Sequence, residues 1–243
     1  AGGIIYAPTG FRMQNATSTN FSVANLLASG TLQTSSVGPA STGQGTSIFT
    51  FQGGLLQVTP NTAAGNLFTT NVSQANVYPG GAVIDTNGSS MTVPISLAAP
   101  STGVTGIQLL TGGSGYIAAP YVQLTGGGDN SATAVAQFDP VTGTVTGITV
   151  TNPGLGYIGS PTVTLVGGLG PGGVAATGSA TFGSIANTGG LTKLGEGVLT
   201  LTAASGYGGN TTVRGGGLQA AFGVGIPTNS RLILDGGVYQ SVG

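Results

Sequence analysis

The chain has 243 residues, of which 39% are hydrophobic and only 4% are charged, and its formal net charge is −1. This composition excludes an intrinsically disordered chain, because disorder requires low hydrophobicity, usually with a high net charge. It also argues against a nucleic-acid partner, since the few basic residues are far apart in sequence and form no basic cluster: Arg12, Lys193, Arg214 and Arg231.

The chain contains no cysteine, histidine or tryptophan. Disulfides, thiolate nucleophiles and metal sites built on cysteine are therefore excluded. No apolar run approaches the length of a transmembrane helix, and no signal peptide is visible. We expect no catalytic residue, no cofactor, no metal and no membrane span.

Glycine accounts for 48 residues and separates short apolar runs. Early in the chain a glycine pair precedes a strand-like run at residues 53–58 (GGLLQV) and again at residues 80–85 (GGAVID). Glycine suits such corners because it adopts positive φ angles and allows backbones to approach closely. Strands that alternate with glycine corners predict an all-β fold, a β-solenoid whose successive turns stack as rungs.

A tandem repeat follows this first segment, residues 1–103. Residues 104–138 recur as residues 145–182, so that the tripeptide Gly-Tyr-Ile at position 115 returns at position 156. Strand-like segments such as 162–166 (TVTLV) alternate with turns, and the glycine-rich residues 167–173 are predicted as a loop. We expect residues 104–182 to add further rungs to one solenoid that spans residues 1–243.

The last segment, residues 189–243, carries a second pattern of strands and glycine corners. Its first strands read LTKLGEGVLTLT, and there Leu199 and Leu201 should point to one face while Thr200 and Thr202 point to the other. No helical period persists anywhere in the chain. This segment is also predicted to form rungs.

Residues 189–220, which include LTKLGEGVLTLTAASGYGGNTTVRGGGLQA, resemble the passenger-associated transport repeat (autotransporter-associated β-strand repeat) of bacterial autotransporters. The tandem copies 104–138 and 145–182 resemble the GYxxxPxV repeats found beside it in large autotransporter-like proteins. The resemblance covers about half of the chain, and residues 1–80 fit it loosely. It implies a right-handed parallel β-helix that is exported to the bacterial cell surface.

Candidate chemistry is sparse. No two acidic residues are closer than ten residues in sequence, which argues against the paired carboxylates of a glycosidase. Asp129 could still meet another acid on a neighbouring rung. The five acidic residues are Asp85, Asp129, Asp139, Glu196 and Asp235. Residues 126–130 (GGGDN) are similar to a calcium-binding turn, but the nonapeptide does not repeat, so we predict a solvated turn. Five Asn-X-Ser/Thr sequons are predicted to be ordinary polar surface: Asn15, Asn20, Asn71, Asn87 and Asn210.

Tyr116 and Tyr157 occupy equivalent positions of the two copies and are predicted to anchor a corner with the hydroxyl reaching solvent. The leading functional hypothesis is an extracellular structural solenoid, a surface rod, sheath or fibre subunit. Low charge and open strand edges predict that it associates with copies of itself, end to end or laterally. An adhesin that binds a cell-surface glycan through exposed tyrosines such as Tyr78 or Tyr121 is the alternative, and a polysaccharide lyase or hydrolase is a third hypothesis.

Overall fold

The computed structural model describes residues 3–13, 21–39, 46–69, 71–128 and 132–242, and all regular structure in these ranges is β-strand. The chain divides into two compact units, residues 1–99 with 187–243 and residues 100–186. We call them the solenoid unit and the repeat unit. In chain order, the strands are β1 (Ile4–Ala7), β2 (Phe11–Met13), β3 (Phe21–Leu27), β4 (Thr31–Thr34), β5 (Val37–Pro39), β6 (Thr46–Gln52), β7 (Leu55–Val58), β8 (Gly65–Asn66), β9 (Gln74–Val77), β10 (Ala82–Asp85), β11 (Met91–Val93), β12 (Leu97–Ala98), β13 (Thr102–Thr111), β14 (Ser114–Tyr116), β15 (Tyr121–Thr125), β16 (Thr133–Asp139), β17 (Thr144–Asn152), β18 (Thr162–Val166), β19 (Leu169–Val174), β20 (Thr177–Ser184), β21 (Leu191–Leu194), β22 (Val198–Leu201), β23 (Thr211–Val213), β24 (Gly217–Ala220), β25 (Leu232–Leu234) and β26 (Val238–Ser241).

The strands of the solenoid unit stack as parallel sheets. One sheet has seven strands in the order β1-β4-β7-β10-β21-β23-β25. A second has five, β26-β24-β22-β11-β8, and a third has four, β12-β9-β6-β3, while β2 pairs with β5. Every strand pair in these sheets is parallel. The predicted all-β parallel solenoid is confirmed for this unit.

Side chains alternate between core and surface along these strands. Leu199 and Leu201 are buried and Thr200 and Thr202 are not, as the alternation predicts. In the seven-stranded sheet, residues in register form an inner column that runs through all its strands: Ile5, Leu32, Leu56, Ile84, Lys193, Val213 and Leu234. Stacking like side chains on successive turns removes apolar surface from water and holds the register.

The parallel ladder of the solenoid unit resumes after the repeat unit, with β21 paired directly to β10. Ala82 of β10 pairs with Leu191 of β21. These positions are 109 residues apart, of which 87 belong to residues 100–186. The remaining 22 match the neighbouring turns, which take 24 residues from Thr31 to Leu55 and 20 from Leu191 to Thr211. The repeat unit is therefore an insertion within one turn of the solenoid.

The prediction that residues 104–182 continue the solenoid is wrong, because the strands of the repeat unit are antiparallel. β13 pairs with β20, β14 with β19, β15 with β16 and β18, and β16 with β17. Residues 167–173, predicted as a loop, contribute to β19. Alternation of apolar and polar residues predicts a strand but carries no information about the direction of its neighbour.

Replacing residues 100–186 by two glycines is expected to leave a folded solenoid. Both ends of the repeat unit lie side by side, since Thr102 pairs with Ser184, and the shortened turn regains an ordinary length. We expect the free energy of unfolding, measured by urea titration with circular dichroism, to change by no more than about 1 kcal/mol for the altered loop closure. Deleting only residues 145–186 should instead cause aggregation, because one copy then exposes the face that its twin covers. Loss of cooperative unfolding in the complete deletion would contradict the insertion model.

Candidate functional site

Three charged residues meet at one corner of the solenoid unit. Asp85 ends β10, Lys193 lies on β21, and Glu196 follows β21 in the glycine-rich bend. Asp85 and Leu194 are partners in the ladder, so the two segments belong to adjacent turns. We call these three residues, with the carbonyl groups around the lysine, the Lys193 corner.

Lys193 stands in the inner column between Ile84 and Val213 and is completely buried. Its ammonium Nζ donates three hydrogen bonds, to the carbonyl oxygens of Leu194 at 2.7 Å, Gly195 at 2.6 Å and Gly215 at 3.1 Å. These are all the donors that an ammonium has. Since Gly215 belongs to the following turn, the side chain fastens two consecutive turns together.

Burial and the neighbouring acidic residues act in opposite directions on the pKa of Lys193. Burial lowers the pKa of Lys193 to about 8, while the negative charges of Asp85 and Glu196 act to raise it. Asp85 is itself engaged, because its carboxylate accepts hydrogen bonds from the Asn87 N–H at 2.8 Å and from Gln57 Nε2 at 2.8 Å. The Lys193 ammonium therefore uses all its donors and the Asp85 carboxylate already accepts two hydrogen bonds, and these bonds tie the corner together.

Tyr116 and Tyr157, at equivalent positions of the two copies in the repeat unit, make reciprocal contacts. The Ala176 N–H donates to the Tyr116 hydroxyl at 2.9 Å, and the Ala132 N–H donates to the Tyr157 hydroxyl at 3.2 Å. Each tyrosine thus reaches the backbone that follows the glycine-rich segment of the other copy. Both are buried, so the prediction that their hydroxyls reach solvent is wrong. The anchoring function holds, but the anchor joins the two copies.

An apolar row lies on the outer face of the four-stranded antiparallel sheet. Tyr121 is 69% exposed and pairs in register with Val135 on one side and Val166 on the other. The repeat equivalents of Tyr121 and Val166 are Thr162 and Thr125, which pair with each other. Each copy therefore carries an apolar side chain at one of these two positions and a hydroxyl group at the other, and of these two pairs only Tyr121–Val166 is apolar on both strands.

The other candidate residues are separated. Asp129 and the end of the 126–130 turn lie outside the described residues. Asp139 lies at the β16–β17 turn, and Asp235 forms an exposed ion pair with Arg214 at 3.3 Å. Tyr78 is partly buried. Within the described ranges, no three acidic side chains come together as a possible metal site.

The sequons differ in accessibility. Asn71 and Asn210 are exposed. Asn87 donates from its side-chain amide to the Val58 carbonyl oxygen at 3.0 Å. Asn15 and Asn20 fall outside the described part of the chain.

Lys193 is not among the residues that the sequence predicts to form a site. The available signal was its position, since LTKL places the lysine on the same face as the buried Leu191. An inward-facing lysine in an otherwise aliphatic column predicts a local set of acceptors.

Comparisons of the chain with protein-family models, with curated proteins and with solved structures find no match. A search of the described residues for a helix able to cross a membrane also finds none.

Proposed function

We propose that this chain is an extracellular structural β-solenoid of the bacterial cell surface, a rod, sheath or fibre subunit that acts by self-association and surface contact. The inner column supports the proposal best. It runs through seven parallel strands and is buried in the middle, whereas its end members Ile5 and Leu234 are 57% and 54% exposed.

A second copy is the partner that fits these ends. In the described part of the chain, β1 and β25 are the outermost strands of the seven-stranded sheet, so each offers backbone groups in the spacing of the ladder. If two copies stack end to end, Leu234 of one copy meets Ile5 of the other, and the inner column continues with aliphatic side chains. A net charge of −1 over the chain leaves little long-range repulsion between copies.

Replacing Ile5 by lysine is expected to abolish end-to-end assembly, because it places a charge inside the stacked column. Ile4→Lys is the matched control, since Ile4 is 74% exposed and its register partner Thr31 does not belong to the inner column. Light scattering after size exclusion over a concentration series, with electron microscopy, measures the assembly. The unaltered chain and Ile4→Lys should form larger species with rising concentration. Dispersed monomers of the unaltered chain at every concentration would overturn the proposal.

A glycan-binding adhesin is the second candidate, and the exposed apolar row of Tyr121, Val135 and Val166 favours it. An aromatic ring on a flat sheet face offers a sugar ring both an apolar surface and a hydroxyl group. Glycan-array binding that disappears in Tyr121→Ala and persists in Ile158→Ala, another exposed apolar position of the same unit, would distinguish this function from pure self-association.

A further inference from the structure

The turn that joins the two copies of the repeat unit carries an Asp-Pro dipeptide, which occurs nowhere else in the chain. Asp139 ends β16, and β17 begins at Thr144. Pro140 is exposed, and Val141 has a relative exposure of 92%. The peptide bond between Asp139 and Pro140 is therefore open to water and to solvent protons.

Three hydrogen bonds arrange the atoms around this bond. The Val141 N–H donates to Asp139 Oδ1 at 2.8 Å, and the Thr142 hydroxyl donates to Asp139 Oδ2 at 2.8 Å. The Gly143 N–H donates to the backbone carbonyl oxygen of Asp139 at 2.9 Å. The carboxylate is thus held within the turn, and the carbonyl group of the Asp-Pro bond already has a hydrogen-bond donor on its oxygen.

We propose that the Asp139–Pro140 peptide bond is a self-cleavage site. A carboxylate oxygen of Asp139 attacks the backbone carbonyl carbon of the same residue and forms a five-membered cyclic anhydride. The bond from that carbon to the Pro140 nitrogen breaks, and the nitrogen takes a proton from solvent. Water then opens the anhydride, leaving Asp139 as a free C-terminal residue and Pro140 as a new N-terminus. No oxidant or reductant is involved.

The geometry of the turn favours this reaction. The Gly143 N–H lies where negative charge develops on the carbonyl oxygen during the attack. The proline nitrogen belongs to a tertiary amide and leaves as a secondary amine once it is protonated. The hydrogen bonds from Val141 and Thr142 fix the Asp139 side chain, which lowers the rotational entropy that the nucleophile loses in the attack.

The reaction requires an ionised carboxylate together with a protonated leaving group. Higher pH favours the first and lower pH favours the second. The hydrogen bonds from Val141 and Thr142 hold the pKa of the Asp139 carboxyl below its usual value. The carboxylate consequently stays ionised in mild acid, where the leaving nitrogen is more easily protonated. The only other charged residue of the repeat unit is Asp129, and the unit has no basic residue.

The cut would not release the two halves. β13 pairs with β20, β14 with β19 and β15 with β18, and each of these pairs joins a strand before the cut to one after it. Cleavage would open the turn and leave the repeat unit assembled.

To test this proposal, the intact chain is incubated at pH 4.5 and pH 7.5, and fragments 1–139 and 140–243 are followed by mass spectrometry. We expect cleavage at the lower pH, at least about tenfold faster in the folded protein than in guanidinium at the same pH, because only the folded turn positions the carboxylate. Size exclusion of the cleaved protein should show an unchanged mass.

Asp139→Ala should abolish the cut, and Pro140→Ala should slow it while retaining the nucleophile. Asp139→Glu keeps the charge but requires a six-membered anhydride, so it should also be slower. Asp129→Ala is the control for removal of an aspartate outside the turn and should cleave like the unaltered chain, and circular dichroism checks that every variant is folded. A rate in the folded chain no greater than the rate in guanidinium, or an undiminished cut in Asp139→Ala, would overturn the proposal.

Discussion

Replacing Lys193 by alanine is expected to lower the free energy of unfolding by about 3 kcal/mol. The loss of three buried methylene groups costs about 2 kcal/mol, and each carbonyl left without a donor costs about 1 to 3 kcal/mol more. Removing a desolvated charge offsets part of this sum. Leu194 keeps a second donor, the Thr86 N–H at 3.2 Å, so the Gly195 and Gly215 carbonyls carry most of the penalty.

Two further variants distinguish the loss of packing from the loss of hydrogen bonds. Lys193→Met retains the stem in the inner column but has no donor, so its loss should be the smaller, about 1 to 3 kcal/mol. Thr192→Ala, the adjacent position on the outer face of β21, should change stability by less than about 0.5 kcal/mol. Urea titration followed by circular dichroism gives the values. A Lys193→Ala effect as small as that of Thr192→Ala would contradict the role of this lysine as a clamp between turns.

The same lysine makes stability depend on pH. Its pKa is about 8 in the fold against 10.5 for a free side chain. Between these values the unfolded chain binds a proton that the folded chain has released, so the free energy of unfolding rises with pH, by about 2 kcal/mol between pH 7.5 and 9.5. Lys193→Met should remove this rise. Measurements stop below pH 10, because burial raises the pKa of Tyr207 to about 12 and its ionisation in the unfolded chain opposes folding at higher pH.

The solenoid could be predicted from sequence because its two signals are local. Glycine corners and alternating apolar residues, as at Leu199 and Leu201, report strand ends and buried faces directly. The direction of pairing is not local. The alternation in β18 is equally compatible with a parallel and an antiparallel neighbour, and the antiparallel direction is seen only in the register of the paired strands, as between β15 and β18.

The candidate site was less predictable for a similar reason. The three partners of Lys193 are backbone carbonyls, which leave no trace in residue types, and one of them belongs to the next turn. Asp85 is more than a hundred positions away in sequence and reaches the corner because the ladder resumes after the insertion. The Asp139–Pro140 dipeptide is visible in the sequence, but the donors around it depend on the turn geometry.

Gly190→Ala is expected to destabilise the solenoid by about 3 kcal/mol, through a clash that no side-chain movement can relieve. A Cβ atom at Gly190 would overlap the carbonyl oxygen of Asn210 and lie 2.9 Å from the Asn210 nitrogen, both backbone atoms of the next turn. Relief requires the turns to separate, which weakens the ladder bonds from the Leu191 N–H to Asn210 at 2.9 Å and from the Ala82 N–H to Gly190 at 2.8 Å.

Gly206→Ala is the matched control for this steric argument, because it adds the same methyl group in the same unit. A Cβ atom at Gly206 would have no other heavy atom within 4 Å, and its backbone is outside the positive-φ region. Alanine there should stabilise the fold by about 0.4 to 1 kcal/mol, since it restricts the unfolded chain. The two substitutions should therefore move the urea midpoint in opposite directions. If both lower it equally, the stability of the solenoid does not depend on the close approach of its turns at the glycine corners.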